Sequence, residues 1–394
     1  MYQFIEYLNE SLETKKGKNT HLEHLEDEII NSGYAGFSSA VKSLRGVMAA
    51  LRGNAPSSHD ITVKWDGSPA IICGIDPASG KFFVGTKSVF NVTPKLNFTN
   101  ADIDLNHPAT GLNEKLRSAL RWLKTLGITG ILQGDLLFTK GDLVAETIDG
   151  EKYTTFQPNT IKYAVPVASA LARKMSAAQV GIVFHTAYTG DSIQNLTAVF
   201  NPSLTGLSQT KAVWFDNATL RSVNGSLLFS RGEVAQIQAA IAGCMKQALA
   251  SRRFMDTLSK NSAVKASTKE YINSLVRLGN ISPDATQLAV WMKEKAGSKI
   301  KESQSSAIAW VEKNRNEMNA VFAVHSRLTH IKRSVLAKLS AIESDVSTFV
   351  KSGNGYKVTA PEGFVAIDRL SNSALKLVDR LEFSKSNFNR NINR

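Results

Sequence analysis

The spacing of apolar residues constrains this chain most, because it changes from one segment to the next. From about residue 231 to 350 apolar residues recur every three or four positions, as an amphipathic helix requires. Leu328, Ile331, Val335, Leu339, Ile342, Val346 and Phe349 keep that step and predict one long helix, and Ser282-Pro283-Asp284 predicts a helix start with proline in the first position. Between residues 60 and 91 the pattern is instead short β-branched and aromatic runs, ITVKW, PAIICGI and KFFVGTK, with residues 76–80 as a hairpin loop. Residues 130–138, 180–186 and the run PEGFVAI near the end repeat this strand pattern, and a helix is expected over 112–126. A chain carrying both periods in separate blocks belongs to the α+β class.

The first fifty residues read as helices. Phe4, Ile5, Leu8 and Leu12 share one face. Thr20 and Glu23 suit a capping box ahead of Leu22, Leu25, Ile29 and Ile30, and Gly33 suits the end of that helix. Phe37, Val41, Leu44, Met48 and Leu51 form a further stripe. The expected organisation is N-terminal helices packed on a core (1–55), the first part of that core (56–230), a basic helical insertion (231–350) and C-terminal strands returning to the core (351–394).

Composition narrows the partners. Hydrophobic residues make up 43% and charged residues 21%, which suits a folded chain and not a disordered one. No apolar run reaches membrane-span length, and the opening MYQFIEYLNESLETKK lacks the features of a secretory signal, so a cytoplasmic protein without membrane association is expected. Cys73 and Cys244 form no CxxC pair, which fits a reducing compartment. The net charge of +13 points to a polyanion, and nucleic acid is the commonest such partner. Residues 231–350 hold 18 Lys and Arg against 10 Asp and Glu, so most of the excess lies in the helical block.

The segment Val63-Lys64-Trp65-Asp66-Gly67-Ser68 carries the chemistry. Lys64 stands at a strand end, where its amine can project into a cleft while Asp66 and Gly67 fix the turn. An amine that attacks phosphorus must be deprotonated, and an apolar setting or nearby cations favour that. By itself K-x-D-G arises by chance in roughly one chain of this length in ten, and by itself it reads first as a solvated lysine beside a turn.

The wider pattern resembles the covalent nucleotidyltransferase superfamily of ATP-dependent RNA and DNA ligases and capping enzymes. Its later motifs have counterparts here in order: Thr86-Lys87-Ser88, Gly134-Asp135 in ILQGDLLF, Phe184 in GIVFHT, Glu362-Gly363-Phe364-Val365, and Lys376 in ALKLVDR. The layout is closest to that of phage RNA ligase-like proteins, for which the location would be the host cytoplasm. The resemblance implies an ATP-grasp-like ligase core of antiparallel sheets with N-terminal helices and a large helical insertion. It implies Lys64, Glu362 and Lys376 as catalytic, and Val63, Asp66, Gly67, Lys87, Asp135, Phe184, Glu362 and Lys376 as nucleotide-binding, with Phe184 stacked on adenine. It further implies ATP and Mg²⁺ as cofactors, the metal supported by Glu362 and Asp135, and Asp66 and Asp135 reaching it through water. In the helical block, Arg252, Arg253, Lys293, Lys295, Lys299, Lys332 and Arg333 would hold a phosphate backbone, RNA in preference to DNA; equally, they are the solvated faces of a bundle.

Four departures qualify the match. Asp135 replaces the usual glutamate. Val378 replaces a second lysine in the last motif, for which Lys87 or Arg380 would have to compensate. The helical block lengthens the interval between Phe184 and Glu362. About sixteen residues follow Val378, too few here for an oligonucleotide-binding barrel, which favours the RNA ligase branch. Three readings stay open: an RNA ligase acting through lysyl-AMP, a DNA ligase or other adenylyltransferase with the same lysine chemistry, and a non-catalytic nucleic-acid-binding or virion-associated protein on a decayed core. His185 reads as a pocket residue or an ordinary strand histidine, Asn159 as a loop residue that could touch substrate though no spacing demands it, His59 as structural, and His21 and His24 as surface groups and not a metal site. No P-loop and no G-x-G-x-x-G motif is present.

Overall fold

The chain runs through α1 (Glu28–Arg52), β1 (His59–Lys64), β2 (Ala70–Ile75), β3 (Phe82–Gly85), α2 (Asn100–Asn106), α3 (Thr110–Leu123), β4 (Ile131–Thr139), β5 (Val144–Ile148), β6 (Glu151–Phe156), β7 (Lys162–Pro166), α4 (Ala170–Ala177), β8 (Val180–Thr189), β9 (Thr197–Phe200) and β10 (Val213–Asn217). It continues through α5 (Arg231–Ala250), α6 (Arg252–Lys260), α7 (Ser262–Arg277), α8 (Ala285–Ala296), α9 (Glu302–Lys313), α10 (Arg315–Ser340), β11 (Ser347–Ser352), β12 (Gly355–Val358), β13 (Gly363–Asp368) and β14 (Ser373–Leu377). This computed structural model describes residues 22–52, 58–220, 229–297, 300–342, 346–352, 355–359 and 361–381. The class is mixed α+β with antiparallel and mixed sheets. The expected helix over 4–12, Thr20 of the expected capping box, and Lys299 lie outside the described residues. No described helix is long and apolar enough to cross a membrane.

Two compact units divide the chain. The first comprises residues 62–224 and 343–362; the second comprises 22–61, 225–342 and the residues from 363 onward. The helix Glu28–Arg52, the helical block and the strands β13 and β14 fall in one unit, and β11 and β12 join 62–224 in the other.

The first unit holds a sheet in the order β10-β8-β4-β2-β3, with β9 paired to β8. Only the β10–β8 pair is parallel. Alternation along these strands sorts their side chains. Ile71, Cys73, Leu132, Leu136, Ile182 and Phe184 turn to one face, where Leu116, Ala119 and Leu123 of α3 cover them. Ile72, Ile131 and Tyr188 turn to the other face with Phe83 and Phe90. A second sheet, β12-β11-β7-β6-β5, is antiparallel throughout.

The second sheet corrects the long helix expected over 328–349. The helix ends at Ser340, and Phe349 lies in β11, paired with Lys162 of β7. Ile342, Val346 and Phe349 keep a helical step, but Ser344, Asp345, Ser347 and Thr348 between them favour turns and extended chain.

The second unit is built from α1, α5–α10, β13, β14 and residues 59–61, the first half of β1, and the sheet order is β1-β13-β14. Gly33, with φ of 62°, breaks α1 where two helices were expected. Asp256 then accepts the Tyr34 N–H at 2.9 Å, and a Cβ on Gly33 would lie 2.5 Å from the same carboxylate oxygen. The helix expected to begin with Pro283 starts later, at Ala285, because Asp284 caps the N–H groups of Thr286 and Gln287. Inside this unit Lys332 Nζ lies 2.7 Å from both carboxylate oxygens of Glu26. Arg380 donates to both oxygens of Asp27 at 2.9 and 3.1 Å and also bonds Asn273. His325 Nε2 lies 3.2 Å from Asp27 Oδ1.

Candidate functional site

The KWDGS segment leaves the end of β1 and crosses β4 in the first unit. Val63 N–H donates to Ala218 C=O at 2.7 Å, Ser68 N–H to Leu136 C=O at 2.9 Å, and Leu136 N–H to Pro69 C=O at 3.1 Å. Gly67 is required by this crossing: a Cβ there would lie 2.5 Å from the Cβ of Asp135. Lys115 of α3 adds a hydrogen bond to the Ser68 carbonyl at 3.1 Å.

Asp66 is buried and anchors the turn instead of reaching for a metal-bound water. Its carboxylate accepts from Asn159 Nδ2 at 2.8 Å and from the N–H groups of Thr160 at 2.6 Å and Ile161 at 2.8 Å. Its own N–H donates to the Tyr163 hydroxyl at 2.7 Å. Asn159, read from sequence as a residue near substrate, is thus the partner of Asp66. Tyr163 is buried, stacks on Phe156 at 5.3 Å and lies 5.1 Å from the Trp65 ring.

With the turn held in this way, Lys64 Nζ hydrogen-bonds Glu362 Oε2, although 298 positions separate the two residues. The Lys64 side chain is 27% exposed and that of Glu362 12%, so the pair is half-open. Asp135, on β4, faces His185 on β8, with His185 Nε2 3.9 Å from Asp135 Oδ1; His185 Nδ1 lies 2.8 Å from Thr186 Oγ1. Lys87 is close enough to act on both Asp135 and His185. It sits at the start of a 3₁₀ turn, Lys87–Phe90, and not on the strand that the sequence suggested, because Thr86 Oγ1 caps the Ser88 N–H.

Charge is unbalanced in this cleft, with three carboxylates against two lysines. Burial by itself would lower the Lys64 amine; Glu362, Asp135 and Asp66 outweigh it and hold the amine above the ordinary lysine value. Burial pushes Glu362 and Asp135 above the usual carboxylate range, Glu362 further through Asp66 and Asp135. Burial also keeps His185 below the ordinary histidine value, against the pull of Asp135. The resting cleft therefore holds an ammonium beside a neutral imidazole.

Phe184 is a correction. It is 0% exposed and sealed among Ile182, Leu132 and Leu136, so its face cannot stack on a nucleobase. Adjacent strand residues point to opposite faces, and the apolar run Val180, Ile182, Phe184 commits the even positions to the core. His185 is then the ring on the cleft side. Lys376 belongs to the second unit, on β14, half-buried, with its N–H donating to the Glu23 carbonyl at 2.9 Å. Arg380 cannot stand in for a missing lysine, because Asp27 and Asn273 occupy its guanidinium.

The cations expected to hold phosphate divide sharply. Lys332 is 1% exposed and neutralises Glu26, so that expectation fails for it. Lys293 pairs with Glu312 at 2.6 Å, Lys295 with Glu270, and Arg333 with Asp379 at 2.8 Å. Arg252 and Arg253 are exposed, Arg252 resting 5.0 Å over the Tyr34 ring.

Mg²⁺ in phosphoryl-transfer sites is typically held by one or two carboxylates, with phosphates and waters completing the shell. Glu362 and Asp135 fit that donor set. Among the described residues no three or more His, Cys, Asp or Glu side chains converge into an all-protein cage.

No curated protein matches the chain, and no solved structure does. A family model covering residues 19–392 does match, and the chain belongs to that family, described as a family of unknown function (DUF6267).

Proposed function

We propose that this chain is a covalent nucleotidyltransferase of the ligase type, with Lys64 taking AMP from ATP and passing it to the 5′-phosphate end of a nucleic acid strand, RNA before DNA. The observation that carries the reading is the pairing of Lys64 with Glu362 in one half-open cleft that also gathers Asp135, His185 and Lys87. An amine, a distant glutamate and a second lysine around a strand-built pocket are the groups that lysine adenylylation needs.

The ammonium of Lys64 first gives its proton to solvent. Its Nζ then bonds to the α-phosphorus of ATP as the bond from that phosphorus to pyrophosphate breaks. A 5′-phosphate oxygen next takes the AMP; the P–N bond breaks and Lys64 recovers a proton. Finally a 3′-hydroxyl oxygen attacks the activated 5′-phosphorus, AMP leaves, and the hydroxyl proton passes to solvent. Positioning and charge neutralisation dominate such transfers. Lys87 sits where a phosphate would meet a fixed positive charge, and Asp66 holds the Lys64 turn in register. Mg²⁺ on Glu362 and Asp135, when bound, adds neutralisation of phosphate charge.

The test is transfer of label from α-labelled ATP to the protein in the presence of Mg²⁺, between neutral and mildly alkaline pH. Wild type is expected to take label and Lys64→Ala to take none. If wild type takes none, the chain is a non-catalytic protein on a ligase-like core, a reading that the sealing of Phe184 into the core favours. If label forms, sealing of 5′-phosphorylated RNA against DNA decides the acceptor.

A further inference from the structure

Three helices of the second unit pack on one another, α1 on α5 and α10 on both. Each is free of acidic residues over a long stretch: no Asp or Glu occurs in 29–59, 234–255 or 318–342. Carboxylates from elsewhere in the unit reach particular cations of these helices. Asp368 takes Lys42 at 2.5 Å, Glu26 takes Lys332, Asp379 takes Arg333, and Glu233, ahead of its acid-free stretch, takes Lys338 at 2.9 Å. Asp256 is spent on the Tyr34 N–H. Arg45, Lys246, Arg252, Arg253 and Arg327 form no ion pair among the described residues. Three of them rest on neutral surface: Arg45 Nη2 lies 3.3 Å from Met245 Sδ, Arg252 lies over the Tyr34 ring, and Arg327 Nη1 lies 3.7 Å from where a Cβ on Gly243 would be; Lys246 and Arg253 are exposed.

These contacts order the cations along a strip. Tyr34 and Arg45 are eleven residues apart on α1, close to three helical turns, so they share a face about 16 Å long. Arg252 marks one end of that strip and Arg45 the other. On α5, Lys246 projects between the side that carries Met245, near Arg45, and the side that carries Gly243, near Arg327. Four of the five are arginines, whose planar fork binds phosphate oxygens two at a time. The strip is long enough to face several consecutive phosphates of one strand.

We infer that this arginine-rich face of α1, α5, α6 and α10 is a phosphate-tracking surface for a nucleic acid strand, with Arg45, Lys246, Arg252, Arg253 and Arg327 as its contacts. The inference takes its partner class from the proposed function but names a different set of cations from those that the sequence suggested. Lys293, Lys295, Lys332 and Arg333 have no part in it, because carboxylates already neutralise them.

The experiment measures binding of fluorescein-labelled 20-nucleotide single-stranded RNA and DNA to the full chain by polarisation, across a salt series. Wild type is expected to bind with a steep salt dependence. The Arg45→Gln/Arg252→Gln/Arg327→Gln variant should lose at least about tenfold in affinity at moderate salt and flatten the slope of log affinity against log salt by about two, near 0.7 per lost contact. Lys293→Gln/Lys295→Gln should stay within about twofold of wild type. Equal loss in both variants, an unchanged triple variant that melts like wild type, or no binding by wild type would overturn the inference. Label transfer from ATP to Lys64 without polynucleotide should be unchanged in the triple variant. The surface can therefore fail while adenylylation stands, and the reverse.

Discussion

Two lysine–glutamate pairs in this chain have the same chemistry and opposite settings. Lys332 and Glu26, in the second unit, are 1% and 0% exposed, and the amine touches both carboxylate oxygens. Lys64 and Glu362, in the first unit, are half-open, with Asp135 and His185 beside them and more negative than positive charge around them. A closed and balanced pair has no chemistry left to do and holds two distant segments of chain together. An open and unbalanced pair can exchange its partner for a phosphate or a cation. Burial and surplus charge separate a structural ion pair from a chemical one, and residue type does not.

Removing each lysine should break the comparison in different currencies. Lys64→Ala is expected to abolish label transfer, a loss of at least about a thousandfold, while thermal melting shifts by no more than about 1 kcal/mol. Lys332→Ala leaves Glu26 buried with only Arg380, 3.9 Å away and already engaged by Asp27, and should cost about 3–5 kcal/mol in denaturant unfolding. Replacing both members, Glu26→Leu with Lys332→Met, should recover much of that loss; no recovery would mean that the pair does more than neutralise itself.

Smaller effects sharpen the contrast. Gly67→Ala drives a methyl group against Asp135 and should cost about 1–3 kcal/mol, with a fall in label transfer larger than its change in ATP affinity. The two regions should also respond to pH in different windows. Lys64 stays an ammonium well past neutrality, so label transfer should climb as pH rises from 7 to 9. His24, in the second unit, is held neutral by burial, helped by Arg380 and Lys332, well below the ordinary value of 6.5. The unfolded chain therefore binds the extra proton first, and stability that is full above pH 6.5 should decline as pH falls below it. Asp27 adds to this at lower pH: burial would raise its carboxyl, but Arg380 and His325 hold it far below the usual range. Lys293→Ala, which breaks only an exposed pair with Glu312, should change stability by at most about 0.5 kcal/mol.

Several elements were legible before any coordinates. The strands around Lys64, the hairpin at residues 76–80, the break at Gly33 and the strand after Glu362 follow from periodicity and turn chemistry. The strands β5, β6, β7, β11 and β12 were not, because β5 is largely exposed and Val346 and Phe349 happen to keep a helical step. Within the cleft, Tyr163 and the 159–161 loop carry no motif. They are recognisable only because Asp66 folds onto them.

The linear order of residues determined the α+β class, the turn that presents Lys64, and the excess of cations over acids in the helical block. Those depend on neighbours within a few positions or on simple counts. Tertiary structure alone decided which cations are already neutralised, that His185 and not Phe184 faces the cleft, and that Glu362 reaches Lys64. Each of these is a question of which group from a distant segment arrives within a few ångströms, and Coulomb and packing forces act across that gap whatever the separation along the chain.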